Sequence, residues 1–350
     1  MTFPLNQRPL RIGIAGLGTV SNTVLPELRD HPNVTIAAAA DVRPEAGERF
    51  TALYGGEAFT SVEDLCASPN IDAVYVLTPN HWHAAHAIMA AEHGKQVIVT
   101  KPIATTLEDC DAMIAAAERR GVRLMAGTTP AFTPIVMEMA RIVASGELGK
   151  LLFLNTWWQT DWLYLPRMPD ELDVAKGGGV VFRQAPHQID IVRTIGGGMV
   201  RSVRASASRG DSSRPVEGGY MAFLEFESGA VATMTYSGYA HLDSTELTYG
   251  TDASGMPRSP QKHLDTRRRA RGFTGSAEES TYKDSVRFAG TREGEWGGER
   301  PTKTHEFYGL TIVNCERGDI RQIPKGLAIY GDDAWREVEV PVKGSEREAE

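Results

Sequence analysis

Three short groups of residues, well separated along the chain, carry the chemistry of hydride and proton transfer. The first is the glycine turn Gly16–Ser21 after an apolar run, the second is Lys101 at the end of the run VIVTK, and the third is His187 after GGGVVFRQAP. A lysine and a histidine can move a proton while a nicotinamide accepts a hydride. This layout predicts a dehydrogenase with Lys101 and His187 as its catalytic pair. An ammonium partly removed from water beside a cationic nicotinamide has a lowered pKa, and the alternative is an ordinary surface lysine.

The glycine turn is a G-x-G-x-x-S variant of the dinucleotide fingerprint. Gly16 allows the tight turn, Gly18 lets the backbone approach a pyrophosphate, and the start of the following helix favours negative charge. Thr19 and Val20 complete the turn before that helix. We expect all four to bind a dinucleotide, and the alternative is a plain strand-to-helix turn.

Asp41 and Arg43, at the end of the second apolar run, indicate which dinucleotide binds. Asp41 ends the run VTIAAAAD. It can accept hydrogen bonds from both ribose hydroxyls and would repel a 2′-phosphate, which favours NAD. Arg43 could pair with that phosphate, so NADP is the less favoured alternative.

These pieces resemble the Gfo/Idh/MocA oxidoreductases. The matching segments are the glycine turn, LTPNHWHAAHA, GKQVIVTKPIA and GGGVVFRQAPH, in the family's order over roughly the first 190 residues. The family usually has Glu-Lys-Pro where this chain has Thr100-Lys101-Pro102, and Asp-x-Gly-x-His where this chain runs from Arg183 to His187. The resemblance implies a Rossmann domain, an NAD-dependent oxidoreductase activity and a cofactor contact for Lys101.

The resemblance also implies cofactor contacts after the third predicted strand, by Thr78, Asn80 and His83. This turn lies at the carboxyl edge of the sheet, where ligands bind in open α/β folds. A rival hypothesis is a metal site formed by His81, His83 and His86. Because no carboxylate or cysteine joins these histidines nearby, we expect no metal.

Arg183 stands where sugar-oxidising relatives carry an acid. At helical spacing, residues 183 and 187 share a face, so we expect Arg183 to point where His187 points. A guanidinium presents a fork that matches a carboxylate, which predicts a carboxylated substrate. The alternative is an arginine that pairs with a structural glutamate.

The segments around Arg183 and from Gly309 to Asp333 show a narrower resemblance. They resemble the branch of carboxylated cis-dihydrodiol dehydrogenases that contains 4,5-dihydro-4,5-dihydroxyphthalate dehydrogenase. It implies oxidation of a cis-dihydrodiol to a catechol. Trp158 and Tyr164, with two neighbouring tryptophans, could line a flat substrate pocket or belong to the core. The alternatives are a sugar or polyol dehydrogenase and, in a different class, a non-catalytic NAD-binding regulatory protein.

Composition narrows the class of protein further. A chain of 350 residues with 41% hydrophobic residues suggests two domains. A net charge of −8 argues against a nucleic-acid partner. Three widely separated cysteines, no apolar leader and no apolar run of membrane-spanning length favour a cytoplasmic protein without membrane association.

The spacing of apolar residues predicts two domains of different architecture. Alternating strands and helices over residues 1–127 predict a doubly wound parallel sheet, a Rossmann domain. Alternating segments over residues 128–350, with Ser228-Gly229 as a hairpin turn, predict an α+β domain with a mostly antiparallel open sheet. Residues 258–300 are predicted to form a long loop or insertion. Open sheets of this kind often pack face to face, so we expect a homodimer or homotetramer.

Overall fold

The computed structural model describes residues 8–127, 130–295 and 304–342. Two β-sheets organise these ranges, and each follows from a different hydrophobic pattern. None of the helices within these ranges is long and apolar enough to cross a membrane.

The first sheet is parallel because its short strands are almost continuously apolar and are separated by helices. Its strands are β1 (Leu10–Ala15), β2 (Val34–Ala40), β3 (Glu57–Phe59), β4 (Ala73–Val76), β5 (Gln96–Thr100) and β6 (Leu124–Gly127). They pair in the order β3-β2-β1-β4-β5-β6. The order reverses between β1 and β4, and the crevice for a ligand opens there, at the carboxyl ends of the strands. The predicted doubly wound parallel sheet is confirmed.

Five helices cover the two faces of this sheet: α1 (Ser21–Arg29), α2 (Pro44–Tyr54), α3 (Val62–Ala67), α4 (His83–Glu92) and α5 (Leu107–Arg120). Leu25 and Phe50 pack on one face and Met113 on the other, all three buried. Thr106 is the N-cap of the last helix, because its hydroxyl accepts a hydrogen bond from the Asp109 amide at 3.0 Å.

The second sheet has eight strands, and its alternating pattern buries one face. Its strands are β7 (Leu151–Gln159), β8 (Val200–Ser208), β9 (Gly219–Phe226), β10 (Val231–Ser237), β11 (Leu310–Cys315), β12 (Gly318–Ile323), β13 (Gly326–Gly331) and β14 (Trp335–Glu339). They pair in the order β14-β13-β12-β11-β7-β10-β9-β8. Only the pair β7 and β10 is parallel among the neighbours in these described ranges, so the predicted mostly antiparallel sheet is confirmed.

Five further helices accompany the second sheet: α6 (Pro134–Ser145), α7 (Gly179–Arg183), α8 (Ala185–Gly196), α9 (Lys262–Gly272) and α10 (Ser276–Val286). Helices α6 and α8 supply apolar side chains to the core beneath the buried face. Short 3-10 turns connect the elements, among them Asn80–Trp82 and Pro169–Leu172.

Two expectations from the sequence need correction here. Helices α9 and α10 occupy much of residues 258–300, so the long-loop prediction is wrong over these helices; residues 296–300 lie outside the described ranges. Arg183 and His187 do not share one helix, because Arg183 ends α7 and His187 lies in α8. Gln184 separates the two helices with φ −121° and ψ −38°, so spacing of four does not place both side chains on one helical face.

Candidate active site

The turn between β1 and α1 uses its two glycines for different reasons. Gly16 has φ +97°, and a Cβ there would lie 3.0 Å from the Leu77 carbonyl carbon and the Thr78 nitrogen. A Cβ on Gly18 would meet no protein atom within 4 Å. The Ser21 hydroxyl donates to the Gly18 carbonyl at 2.6 Å and so closes the turn. Packing therefore requires the first glycine, whereas the second leaves space beside the helix N-terminus for a phosphate.

Asp41 and Arg43 form an ion pair at the end of β2. Asp41 accepts a hydrogen bond from the Leu17 amide at 2.8 Å and another from Arg43 Nε at 3.1 Å. Arg43 Nη2 donates to the Leu17 carbonyl at 2.6 Å. Both side chains are thus anchored to the glycine turn. Their contacts to the ribose remain predictions.

His83 joins the carboxyl ends of β4 and β5. It is fully buried, with Nδ1 2.6 Å from the Pro102 carbonyl oxygen and Nε2 2.7 Å from the Thr78 carbonyl oxygen. Burial lowers the pKa of this imidazole. Because both ring nitrogens face carbonyl oxygens of the protein, His83 holds the two turns together, and its contact with a cofactor stays a prediction.

The neighbouring polar residues connect the first sheet to the second glycine-rich turn. Asn80 Nδ2 donates to the Gly177 carbonyl at 2.7 Å, and the Thr78 hydroxyl lies 3.0 Å from His86 Nδ1. Within residues 8–127, 130–295 and 304–342, no group of three His, Cys, Asp or Glu side chains is arranged to hold a metal. His83 and His86 have other partners, as described above.

Lys101 and His187 lie together where the two sheets meet. Lys101 Nζ donates to the Arg183 carbonyl at 2.8 Å. Burial, followed by the charges of Arg183 and Arg167, lowers the pKa of Lys101 to about 7. Burial and then the Lys101 charge hold the pKa of His187 well below its usual range. Near neutral pH, His187 is therefore an uncharged imidazole and Lys101 exchanges its proton readily.

The surroundings of His187 leave one ring nitrogen available. Its ring packs against Tyr308 with the centroids 5.6 Å apart. Its buried Nδ1 has no hydrogen-bond partner among the described residues. A buried imidazole nitrogen without a partner can bind a substrate hydroxyl.

A buried group of charged side chains borders Lys101, and sequence reasoning missed most of it. We call Arg167, Glu171, Arg183 and Lys283 the cationic cluster. Glu171 lies 2.7 Å from Arg183 Nη2 and 3.5 Å from both Arg167 Nη1 and Lys283 Nζ. No motif marks Arg167, Glu171 or Lys283 in the sequence. Arg167 precedes the 3-10 turn Pro169–Leu172, Glu171 lies within that turn, and Lys283 lies in α10.

Charge neutralisation in this cluster is incomplete. Burial raises the pKa of Glu171, but Lys283, Arg183 and Arg167 outweigh it and hold that pKa at about 2. Burial lowers the pKa of Lys283 to about 8, although Glu171 opposes the shift. At neutral pH the single carboxylate therefore faces three cations, and the Arg183 side chain is the most exposed of these at 26%.

The two aromatic residues predicted to line a substrate pocket, Trp158 and Tyr164, have different surroundings. Trp158 is 8% exposed and packs edge to face against Tyr236 and Tyr308, at 5.3 and 5.6 Å between centroids. It therefore supports the ring that contacts His187. Tyr164 lies beneath the Arg267 guanidinium at 4.0 Å. A direct substrate contact for either side chain stays a prediction.

A parallel sheet with a glycine turn, and a lysine and a histidine at its carboxyl edge, defines a nicotinamide-dependent dehydrogenase. A family model described as the oxidoreductase family with an NAD-binding Rossmann fold matches residues 10–128, and the GFO/IDH/MocA C-terminal domain matches residues 136–254. The chain belongs to the Gfo/Idh/MocA oxidoreductase family and binds NAD.

Individual relatives agree with this assignment. The chain is 35% identical over 321 residues to 1-carboxy-3-chloro-3,4-dihydroxycyclohexa-1,5-diene dehydrogenase of Comamonas testosteroni, which covers 91% of this chain and 80% of the relative. A Bordetella bronchiseptica RB50 crystal structure, named as a dehydrogenase, is 37% identical with a TM-score of 0.88 over 95% of this chain and 86% of its own. The Bordetella pertussis WlbA dehydrogenase, solved with NADH and UDP-GlcNAcA, shares the fold at 21% identity, with a TM-score of 0.67 over 99% and 82% of the two chains.

The two glycines of the turn give a matched pair of variants. Gly16→Ala should destabilise the protein by about 1–3 kcal/mol, because φ +97° is unfavourable for alanine and its Cβ would crowd the backbone of Leu77 and Thr78 after β4. Gly18→Ala should leave the melting temperature nearly unchanged and weaken NAD binding, because the added methyl occupies space beside the phosphate. Thermal unfolding and calorimetric titration measure these effects, and normal NAD affinity in Gly18→Ala would remove Gly18 from the site.

The pKa of Lys101 predicts the pH profile of substrate oxidation. We expect the neutral amine to accept the proton, so kcat/KM should fall as the pH drops through about 7 and level off above it. Lys101→Ala should lower turnover by roughly 100-fold or more and lose this inflection. Replacement of the exposed Lys150 by alanine is the control. An unchanged inflection in Lys101→Ala would assign the titration to another group.

Proposed function

We propose that the protein is an NAD-dependent dehydrogenase that oxidises a carboxylated cyclic cis-diol, the cis-dihydrodiol of an aromatic acid. The cationic cluster beside Lys101 carries this proposal. Three cations around one buried carboxylate leave an excess positive charge, and a substrate carboxylate would balance it. The name of the Comamonas testosteroni relative describes a carboxylated dihydroxycyclohexadiene as its substrate.

The Arg183 guanidinium is the group we assign to the substrate carboxylate. Glu171 holds it through Nη2 at 2.7 Å and fixes its orientation. Its exposure exceeds that of Arg167 and Lys283, so it is the member that a ligand reaches most easily. Its backbone carbonyl accepts the hydrogen bond from Lys101. One residue thereby links the carboxylate site to the proton acceptor.

Lys101 and His187 divide the work on the two hydroxyls. NAD supplies the hydride acceptor when it is bound. The neutral Lys101 amine takes the proton of the hydroxyl being oxidised as its carbon loses a hydride and becomes a carbonyl carbon. The uncharged His187 imidazole hydrogen-bonds to the neighbouring hydroxyl. Loss of the adjacent ring proton and protonation of the carbonyl oxygen then convert the hydroxyenone to a catechol, with no further change in oxidation state.

The open face of the second sheet supports a homodimer or homotetramer. Directly paired residues on adjacent strands place Phe153, Trp157, Met221, Phe223 and Ile312 on the face away from α6 and α8. Phe153 is 53% exposed, and Met221 is 64% exposed. These exposed apolar side chains lie among polar ones such as Asn155 and Thr233, a mixture that is typical of protein–protein interfaces. We propose that two copies of the chain pack through this face.

Substitution at Arg183 distinguishes an acid-specific enzyme from a sugar or polyol dehydrogenase. Arg183→Lys keeps a charge next to Glu171 but loses the planar fork. For carboxylated cis-diols, the fall in kcat/KM should correspond to a loss of about 1.5–3 kcal/mol of transition-state stabilisation, the scale of a charge-assisted hydrogen bond. For neutral cis-diols, the fall in kcat/KM should be much smaller. NADH absorbance measures both rates. Arg193→Lys on the exposed side of α8 is the matched control, and equal losses on both substrates would make Arg183 structural.

Light scattering after size-exclusion chromatography tests the sheet interface. The unaltered protein should elute as a dimer or tetramer, and Met221→Glu combined with Phe223→Glu should give a smaller species, because charges on the apolar face oppose its burial. Val203→Glu, at an equally exposed position of the edge strand β8, is the control. A monomeric unaltered protein would contradict the proposal.

A further inference from the structure

Residues 286–293, which we call the strap, extend from the end of α10 onto the first sheet. Val286 is fully buried, and Phe288 is 2% exposed. The Phe288 ring belongs to the apolar core that contains Leu17 and Leu25, beneath the glycine turn. A segment that lies between β10 and β11 of the second sheet in sequence thus completes the core of the NAD-binding sheet.

Polar contacts hold the strap on the side of the site where β1 and β2 end. Asn22 Nδ2 donates to the Val286 carbonyl at 3.2 Å, and Arg43 Nη1 donates to the Phe288 carbonyl at 3.0 Å. Arg49 pairs with Glu293 at 3.2 Å nearer the surface. In a Rossmann fold the end of β2 faces the adenosine ribose. The strap therefore borders the part of the dinucleotide that differs between NAD and NADP.

The Phe288 carbonyl is one of three protein groups that accept hydrogen bonds from Arg43. The guanidinium donates to Asp41, to the Leu17 carbonyl and to the Phe288 carbonyl. Its donors are fixed in a plane, so they cannot also turn toward a 2′-phosphate while these bonds persist. The Arg43 side chain is only 13% exposed.

We propose that the strap determines cofactor choice, because its Phe288 carbonyl holds Arg43 against Asp41 and keeps the guanidinium from a 2′-phosphate. Asp41 and Arg43 have opposite preferences when considered separately. The strap resolves this conflict in favour of NAD. Phe288 is accordingly a positioning residue that acts through Arg43.

Ala289 gives a way to move the Phe288 carbonyl without changing Arg43 or Asp41. It has φ +61°, in the left-handed region that β-branched residues strongly disfavour. Ala289→Val should rotate the preceding peptide group, and the carbonyl of that group is the Arg43 acceptor. Ala289→Gly is the matched partner, because glycine adopts the same φ readily.

Calorimetric titration of the full-length variants with NAD and NADP tests the proposal. Ala289→Val should shift the ratio of the two dissociation constants toward NADP by roughly fivefold, the effect of one hydrogen bond. Ala289→Gly should keep the ratio within about twofold of the original. In an Arg43→Ala background, Ala289→Val should produce no further shift, since the released arginine is what binds the phosphate.

A second variant covers the case in which Ala289→Val fails to fold. Glu293→Gln removes the pair with Arg49 at the outer end of the strap, and it should shift the ratio in the same direction by a smaller factor. Arg287→Ala examines an arginine that belongs to the strap itself. Equal weakening of NAD and NADP in the strap variants would show a purely structural role. A shift that persists without Arg43 but disappears without Arg287 would also overturn the proposal.

Discussion

The arrangement of the site depends on one buried carboxylate, that of Glu171. Arg167, Arg183 and Lys283 come from separate parts of the chain, and without a shared anion their mutual repulsion in a buried region would be severe. The depressed pKa of Glu171 reflects the same attraction, which outweighs the effect of burial. Because Arg183 also accepts the Lys101 hydrogen bond through its carbonyl, this carboxylate indirectly fixes the position of Lys101.

The site exists only where the two sheets meet. The carboxyl edge of the first sheet supplies Lys101, while α7 and α8 supply Arg183 and His187. Hydrogen bonds from Asn80 to Gly177 and from Lys101 to Arg183 span this junction. Burial at the junction lowers the pKa of Lys101 into the range useful for proton exchange. The same contacts therefore hold the two parts of the protein together and adjust the chemistry.

Helix α10 connects the two ends of the site. Lys283 on this helix contacts Glu171 in the cationic cluster. Glu279, one turn earlier, accepts hydrogen bonds from Arg214 at 2.8 Å and from the Arg167 amide at 2.7 Å. The strap that follows packs under the glycine turn of the cofactor site. This helix and the strap after it thus contact both the cationic cluster and the core under the glycine turn, although the helix has little apolar character.

Local patterns in the sequence were sufficient for the framework. Apolar runs separated by helices predicted the parallel sheet, and the spacing of Gly16 and Gly18 predicted the turn, because backbone geometry there depends on adjacent residues alone. The position of Lys101 at a strand end and of His187 after a glycine turn likewise follows from short segments. These features need no knowledge of distant contacts.

Tertiary structure decided which side chains those segments meet. The break at Gln184 placed Arg183 and His187 on different helices, and His83 turned both nitrogens to carbonyl groups. Glu171 and Lys283 are over a hundred positions apart in the chain, yet they lie 3.5 Å apart in the fold. The neighbouring residues in the sequence do not distinguish a polar residue that is buried and paired from one that is exposed to solvent. Only packing of distant segments distinguishes the two.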